Sequence, residues 1–211
     1  MLEIKPLTSD LTADYLDFFD HRAFSDHNPN GPCYCTSPNM DDSEIQRMVS
    51  EFGSDVKGVI RRYAVDLLAE GKIHGYLAFD DGISVGWCNA GDMDSYCNTD
   101  FIPGYFRQNA SGKTMSVVCF AIAPEYRGKG VARALLERVI IDARDGGFAA
   151  VEGYTRVQKD GGYEDYSGPV RLYEKAGFAE FARLDGRVGM RKELQGVDGI
   201  RAEASGEAVT Q

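Results

Sequence analysis

The stretch from Met115 to Gly147 constrains this chain most. Met115-Ser116-Val117-Val118-Cys119-Phe120-Ala121-Ile122 is nearly continuous in apolar residues, and Pro124 follows it. Such a run suits a strand buried on both faces in mid-sheet, and proline, with no N–H to give a ladder, stops it. Arg127-Gly128-Lys129-Gly130 then leads into Val131, Ala134, Leu135, Val139 and Ile140 at helical spacing, closed by Gly146-Gly147. An amphipathic helix placed there must lie back on the sheet, which makes the chain an α/β protein.

The flanking sequence supplies more of both element types. Leu2, Ile4 and Pro6 alternate with Glu3 and Lys5 as a short strand, and Thr8-Ser9-Asp10 offers caps for a helix through Tyr15, Leu16, Phe18 and Phe19. Residues 25–39, dense in Pro, Asn and Gly, read as loop; a helix resumes at the acidic start Asp41-Asp42-Ser43-Glu44, and another spans 54–70. Period two then sets in, with Ile73 to Phe79 and Ile83 to Asn89 joined by Asp81-Gly82, a hairpin signature. Residues 90–112 show no period and read as a loop packed by its own aromatics. Beyond the central helix come a strand at 149–154, a short helix from Val170 to Ala176 with Pro169 at its first position, and a hairpin around Asp185-Gly186. Residues 1–194 form one expected domain; 195–211, poor in apolar residues, read as a flexible tail.

Charge narrows the function classes. With 33 acids against 23 bases the formal net charge is -10, a field that repels phosphate backbones and anionic lipid, so neither nucleic acid nor membrane is expected as a partner. There is no long apolar span and no signal-peptide layout, so a cytoplasmic location is expected. Five cysteines, an odd number, argue for free thiols over a disulfide framework. His21, His27 and His74 lack metal-ligand spacing, and a single Cys33-x-Cys35 is too little for zinc, so no metal site is expected.

The turn after the apolar strand carries the chemistry. Glycines at 128 and 130 let main-chain N–H groups at a positively polarised helix start approach phosphate oxygens, while Arg127, Lys129 and Arg133 add a cationic rim to an acidic protein. An ordinary strand-to-helix turn with exposed bases is the plain alternative. A dinucleotide fingerprint needs a small residue where Arg133 stands, and a P-loop needs Ser or Thr where Gly130 stands; neither fits.

These residues, with Leu172-Tyr173-Glu174-Lys175-Ala176-Gly177-Phe178 later in the chain, resemble the GNAT family of N-acetyltransferases, over residues 115–178. Ser116 to Phe120, Val151-Glu152-Gly153-Tyr154, Tyr166-Ser167-Gly168-Pro169 and Cys33-Tyr34-Cys35 are similar to a bacterial subgroup, although its usual Glu-x-Tyr-Pro ends here in Thr155. The resemblance implies a mixed, mostly antiparallel twisted sheet of six to seven strands flanked by helices, splayed between its two central strands. It implies acetyl-CoA as cofactor, with pyrophosphate on the amides of Arg127, Gly128, Lys129, Gly130, Val131 and Ala132. The pantetheine arm would lie along Phe120, Ala121 and Ile122.

Acetyl transfer to an amine needs a neutral nucleophile, an oxyanion site and a proton for the departing thiolate. Tyr173 matches the family position for that proton donor; the alternative is a helix residue packed on the sheet. Main-chain N–H groups around Phe120 to Ile122 are the expected oxyanion donors. Glu152 shares a strand face with Tyr154 and is the candidate base, with an exposed carboxylate or a water relay as the other readings. Cys119, Tyr154, Tyr163 and Tyr166 are candidate pocket residues, with surface turn positions as the equal alternative for the tyrosines. Cys119, on an apolar strand and far from any histidine in sequence, reads as a small packed thiol more readily than as an acyl carrier. Cys33 and Cys35 are expected on a loop near the acceptor. The expected activity is direct, acyl-CoA-dependent N-acetylation of a small-molecule amine by a monomer or homodimer. A noncatalytic acyl-CoA sensor is the alternative.

Overall fold

The apolar run is strand β4, Thr114–Ile122, fourth in a seven-stranded sheet. The computed structural model describes residues 1–26, 28, 31, 33–110, 112–157 and 165–194; His27, Tyr163 and the 195–211 segment read as a tail lie outside them. On one side of β4 stand Glu3–Pro6 (β1), Gly75–Asp80 (β2) and Ile83–Asp92 (β3); on the other, Ala150–Arg156 (β5), Ala179–Leu184 (β6) and Arg187–Glu193 (β7). The order across the sheet is β1-β2-β3-β4-β5-β7-β6, and β4 with β5 is its parallel pair. Both hairpins turn as the sequence predicts: Asp81 and Gly82 have φ of 47° and 79°, Asp185 and Gly186 48° and 74°, the left-handed pairs that a two-residue turn between right-twisted strands requires.

Helices α1 (Thr12–His21), α2 (Asp42–Ser50) and α3 (Val56–Ala69) pack on one face. The acidic start of α2 is a capping box: Asp41 accepts from the Glu44 N–H and the Glu44 carboxylate accepts from the Asp41 N–H, 2.8 Å each. Trp87 fills the centre of this face, edge-on to Tyr15 with ring centroids 4.8 Å apart. A short helix α4 (Gly104–Gln108) adds Phe106 against Tyr154 and Phe181. On the opposite face α5 (Val131–Asp145) inserts Leu135, Leu136 and Val139 among Val85, Phe120 and Val151, and α6 (Val170–Lys175) adds Tyr173. Each such side chain contributes roughly 1.5–3 kcal/mol by burial, which is what pins α5 and its glycine turn to the end of β4.

Three local expectations are corrected. Strand β3 runs on to Asp92, because Ala90 and Gly91, poor strand formers alone, pair with Val117 and Ser116 of the central strand. The 90–112 stretch contains α4 and is not all loop. Pro169 caps α6 in extended conformation (φ -73°, ψ 149°) and is not its first helical residue.

Two irregularities open the sheet. Pairing of β4 with β5 ends at Val117–Gly153, and both strands continue beyond it, so they part. Opposite β3, Asn89 pairs with Cys119 and Ala90 with Val117, leaving Val118 as a bulge at the point of parting. No helix among the described residues is long and apolar enough to cross a membrane.

Candidate functional site

The corner between the end of β4 and the start of α5 is built from main chain. Gly128 and Gly130 have φ of 73° and 86°, and a Cβ on either would meet no atom within 4 Å, so their faces are open. Gly130 caps α5 without a side-chain hydrogen bond, and the first helical hydrogen bond back to it is Ala134 N–H to Gly130 O, 3.0 Å. The N–H groups of Val131, Ala132 and Arg133 therefore point out of the helix end with nothing to receive them, at the positive pole of the helix dipole.

That corner forms one end of a cavity of about 530 Å³. Its floor is Phe120 and Ile122; one wall is Tyr126, Arg127, Gly128 and Gly130 to Arg133, the other Tyr166, Gly168, Pro169, Arg171, Leu172 and Lys175. The Ala123 N–H donates to Val85 O of β3 at 3.0 Å, so by strand alternation the main chain of Phe120 and Ile122 faces the parted side. Ile122 O indeed accepts from Arg127 Nε at 3.2 Å, while Ala121 is buried opposite Trp87 and does not line the cavity.

The cationic rim differs from the sequence reading. Arg127 is paired to Asp26 at 2.6 Å and Arg133 to Glu137 at 2.7 Å, and Lys129 lies over the Tyr126 ring, 5.3 Å from its centroid. Arg171 and Lys175, one turn apart on α6, supply exposed charge from the far wall, with no ion pair among the described residues. Their signal was present in the sequence as a basic i, i+4 pair beside the Leu172 to Phe178 motif, but only the fold turns that face to the cavity.

Tyr173 lies behind the wall, fully buried, and its hydroxyl donates to Ser167 O at 2.9 Å. Its ring rests on Gly153, where a Cβ would stand 2.3 Å from Cε1, so that position of β5 tolerates glycine alone. Burial pushes the Tyr173 hydroxyl well above the ordinary phenol range. Where the subgroup carries proline, Thr155 lets β5 continue, and its hydroxyl donates to Gly168 O at 3.0 Å.

Glu152 is fully buried, not exposed. Its Oε1 accepts from Arg191 Nε at 2.7 Å and its Oε2 from the Tyr154 hydroxyl at 2.9 Å, while Ser116 Oγ lies 3.0 Å from the same hydroxyl. Ser116, Glu152 and Arg191 are register partners across β4, β5 and β7, so the network runs straight across the sheet. Burial raises the Glu152 carboxyl above its usual range, against the bonds from Tyr154 and Arg191 that favour the anion. Of the candidate pocket residues, Tyr166 lines the cavity, Tyr154 belongs to the Glu152 network, and Cys119 is buried beside Cys35. Among the described residues no three metal-ligating side chains converge.

A family model described as "Acetyltransferase (GNAT) domain" matches residues 71–180, more than half of the chain. Among solved structures, the protein yncA from Salmonella typhimurium, determined with its cofactor acetyl-CoA, is 17% identical with a TM-score of 0.51, covering 99% of each chain. PaiA N-acetyltransferase from Thermoplasma acidophilum, in complex with coenzyme A, is 13% identical with a TM-score of 0.51, over 92% of this chain and 99% of that one. An N-acetyltransferase from Staphylococcus aureus Mu50 is 14% identical with a TM-score of 0.50, over 92% and 99%. No curated protein sequence matches the chain.

Proposed function

From the premise that this chain belongs to the GNAT family of acetyltransferases, we propose that it N-acetylates a small-molecule amine at the expense of acetyl-CoA. The observation that carries the reading is the uncapped, glycine-opened start of α5 beside the parted ends of β4 and β5. The fit is specific: a row of unreceived N–H groups, an open face over two glycines and two cations on the facing wall suit a diphosphate, and the Phe120–Ile122 floor suits an extended amide-bearing arm. Bound there, acetyl-CoA supplies the activated acetyl group.

The chain's own residues do the rest. The N–H groups of Val131, Ala132 and Arg133 hold the diphosphate, with Arg171 and Lys175 neutralising its outer charge. Main-chain groups of Phe120 and Ile122 align the arm and polarise the carbonyl that it carries. Glu152, whose proton affinity burial raises and whose anion Arg191 favours, takes the acceptor's proton through the Tyr154 hydroxyl. Tyr173 is the phenol that the family position assigns to the departing sulfur, and acting so requires its hydroxyl to leave Ser167 O. The acidic surface, with its net charge of -10, favours a cationic acceptor such as a polyamine.

The test is release of CoA thiol from acetyl-CoA across a panel of amines and polyamines, beside calorimetry of CoA binding. Turnover with a soluble amine supports the reading. CoA binding with no turnover on any amine, and no rate for Tyr173→Phe to lose, moves the assignment to an acyl-CoA sensor; absence of CoA binding removes both.

A further inference from the structure

The cavity has an inner end, and neither the glycine corner nor the Glu152 network builds it. An extended arm laid along the floor from Ile122 toward Phe120 runs to the place where β4 and β5 part. There Tyr166-Ser167-Gly168 bridges the two strands. Ser167 Oγ accepts from the Arg156 N–H at 3.1 Å and Gly168 O from the Thr155 hydroxyl at 3.0 Å, which ties the segment to the half of β5 that no longer pairs with β4. Toward β4, Gly168 takes a φ of 74°, and a Cβ on it would stand 3.2 Å from Phe120 Cε2, so the segment lies against the cavity floor as closely as glycine allows. The Tyr173 hydroxyl, donating to Ser167 O at 2.9 Å, steadies it from the α6 side.

Tyr166 is the residue of this segment that meets both the cavity and the core. Its side chain lines the cavity, while its hydroxyl is buried and has no hydrogen-bond partner among the described residues. What the cavity meets is therefore the ring. Burying a hydroxyl without a partner is unfavourable, so packing alone fixes the ring where it stands. That packing is deep. Phe24 lies behind it with ring centroids 6.0 Å apart, and Phe19 lies 6.3 Å behind Phe24 and 5.7 Å from Tyr34. Gly31 presses on Phe24 from the side, since a Cβ there would stand 2.4 Å from Phe24 Cγ.

We propose that the Tyr166 ring is the end wall of the acyl site and sets the length of acyl group that the donor can carry: two- and three-carbon groups end before it, and longer chains are turned away. This rests on the reading that the corner at α5 binds acetyl-CoA with its arm along Phe120 and Ile122. An acyl group continues the line of the arm past its sulfur, so each added methylene advances on Tyr166 and, behind it, on Phe24. A wall backed by close-packed aromatics yields to an inserted methylene only by forcing side chains off their rotamers. A small residue at position 166 would remove the wall and lengthen the site toward Phe24, whereas phenylalanine would keep it.

The experiment titrates the full chain by calorimetry with CoA, acetyl-CoA, propionyl-CoA, hexanoyl-CoA and octanoyl-CoA, and needs no acceptor. The parent should bind acetyl-CoA at least about tenfold more tightly than hexanoyl-CoA, since one methylene in a closed apolar pocket is worth roughly 10–200-fold. Tyr166→Phe should keep that ratio, Tyr166→Ala should bring it to one or reverse it, and Tyr166→Leu should fall between. The ratio is the readout that loosened packing does not move, because a general loss of order weakens every thioester alike. Hexanoyl-CoA bound by the parent as tightly as acetyl-CoA, a changed ratio in Tyr166→Phe, or an unchanged one in Tyr166→Ala overturns the proposal and leaves the acetyltransferase reading intact; failure of the parent to bind CoA overturns that reading instead. Tyr166→Leu decides in place of Tyr166→Ala should the latter not fold.

Discussion

The two halves of the site are built on opposite plans. The corner at the start of α5 is local and open: glycines, uncapped N–H groups and exposed cations, nearly all within Tyr126–Arg133 and Pro169–Lys175. The region in front of β4 and β5 is dispersed and closed, since Glu152, Tyr154, Ser116 and Arg191 on one side and Cys35, Asn89, Tyr96 and Cys119 on the other come from six separate elements or loops and are almost all buried. The open half offers groups that lack partners; the closed half is made of groups that already have them. A change in the first should thus appear as lost affinity, and in the second as lost stability together with lost rate.

The largest effect tests that division at Glu152. Glu152→Ala takes from the Arg191 guanidinium, 15% exposed, its buried carboxylate and leaves it Glu193 at 3.8 Å, so the loss, read by denaturant unfolding, should approach the roughly 3–5 kcal/mol of a broken buried pair from below. Glu152→Gln should recover much of the stability and little of the rate; equal recovery of both would make the residue purely structural. In the open half, Gly130→Glu puts a side chain at φ 86° and a carboxylate over the uncapped amides. Its CoA affinity should fall at least about a hundredfold, roughly 2.8 kcal/mol by calorimetry. Unchanged affinity there would erase the contrast. Asn89→Ala strips the partner from the Tyr96 hydroxyl in the core, at about 1–3 kcal/mol of unfolding free energy.

The smallest effect concerns pH. The Tyr34 and Arg61 hydrogen bonds hold the Asp20 carboxyl below its usual range, outweighing burial, the largest single influence, which acts the other way. A depressed folded pKa contributes stability that is present above the unfolded value and lost as pH falls through the folded one. The gap in unfolding free energy between the parent and Asp20→Asn should therefore be full at neutral pH and close under acid. A gap independent of pH would mean that Asp20 supports Tyr34 and Arg61 by packing rather than charge.

How much of this was written in the sequence follows the same divide. The β4–turn–α5 unit, both hairpins and the α2 cap were legible because each is fixed by neighbours a few residues apart: proline ending a ladder, Asp-Gly at left-handed φ, an acidic residue three before a glutamate. In the sequence Asn89 marks only the end of a strand, and Cys35 a loop thiol, since nothing local marks an amide that a tyrosine orients or a sulfur beside which that amide lies. Tyr173 stands out in the sequence through its motif, and the fold shows its hydroxyl committed to Ser167 O.

By itself, then, the sequence determined the central strand and the glycine-opened helix start, because short-range sterics and backbone chemistry dictate them, and its motifs carry the resemblance to the acetyltransferase family whose model matches it. Tertiary structure alone decided which buried polar groups meet: that Glu152 faces Arg191 across a register of three strands, that Arg171 and Lys175 close the cavity from its far wall, and that Cys35 lies against Cys119. Contacts between residues far apart in the chain depend on strand register, a bulge at Val118 and the parting of two strands, and these are set by packing of the whole sheet rather than by any segment of it.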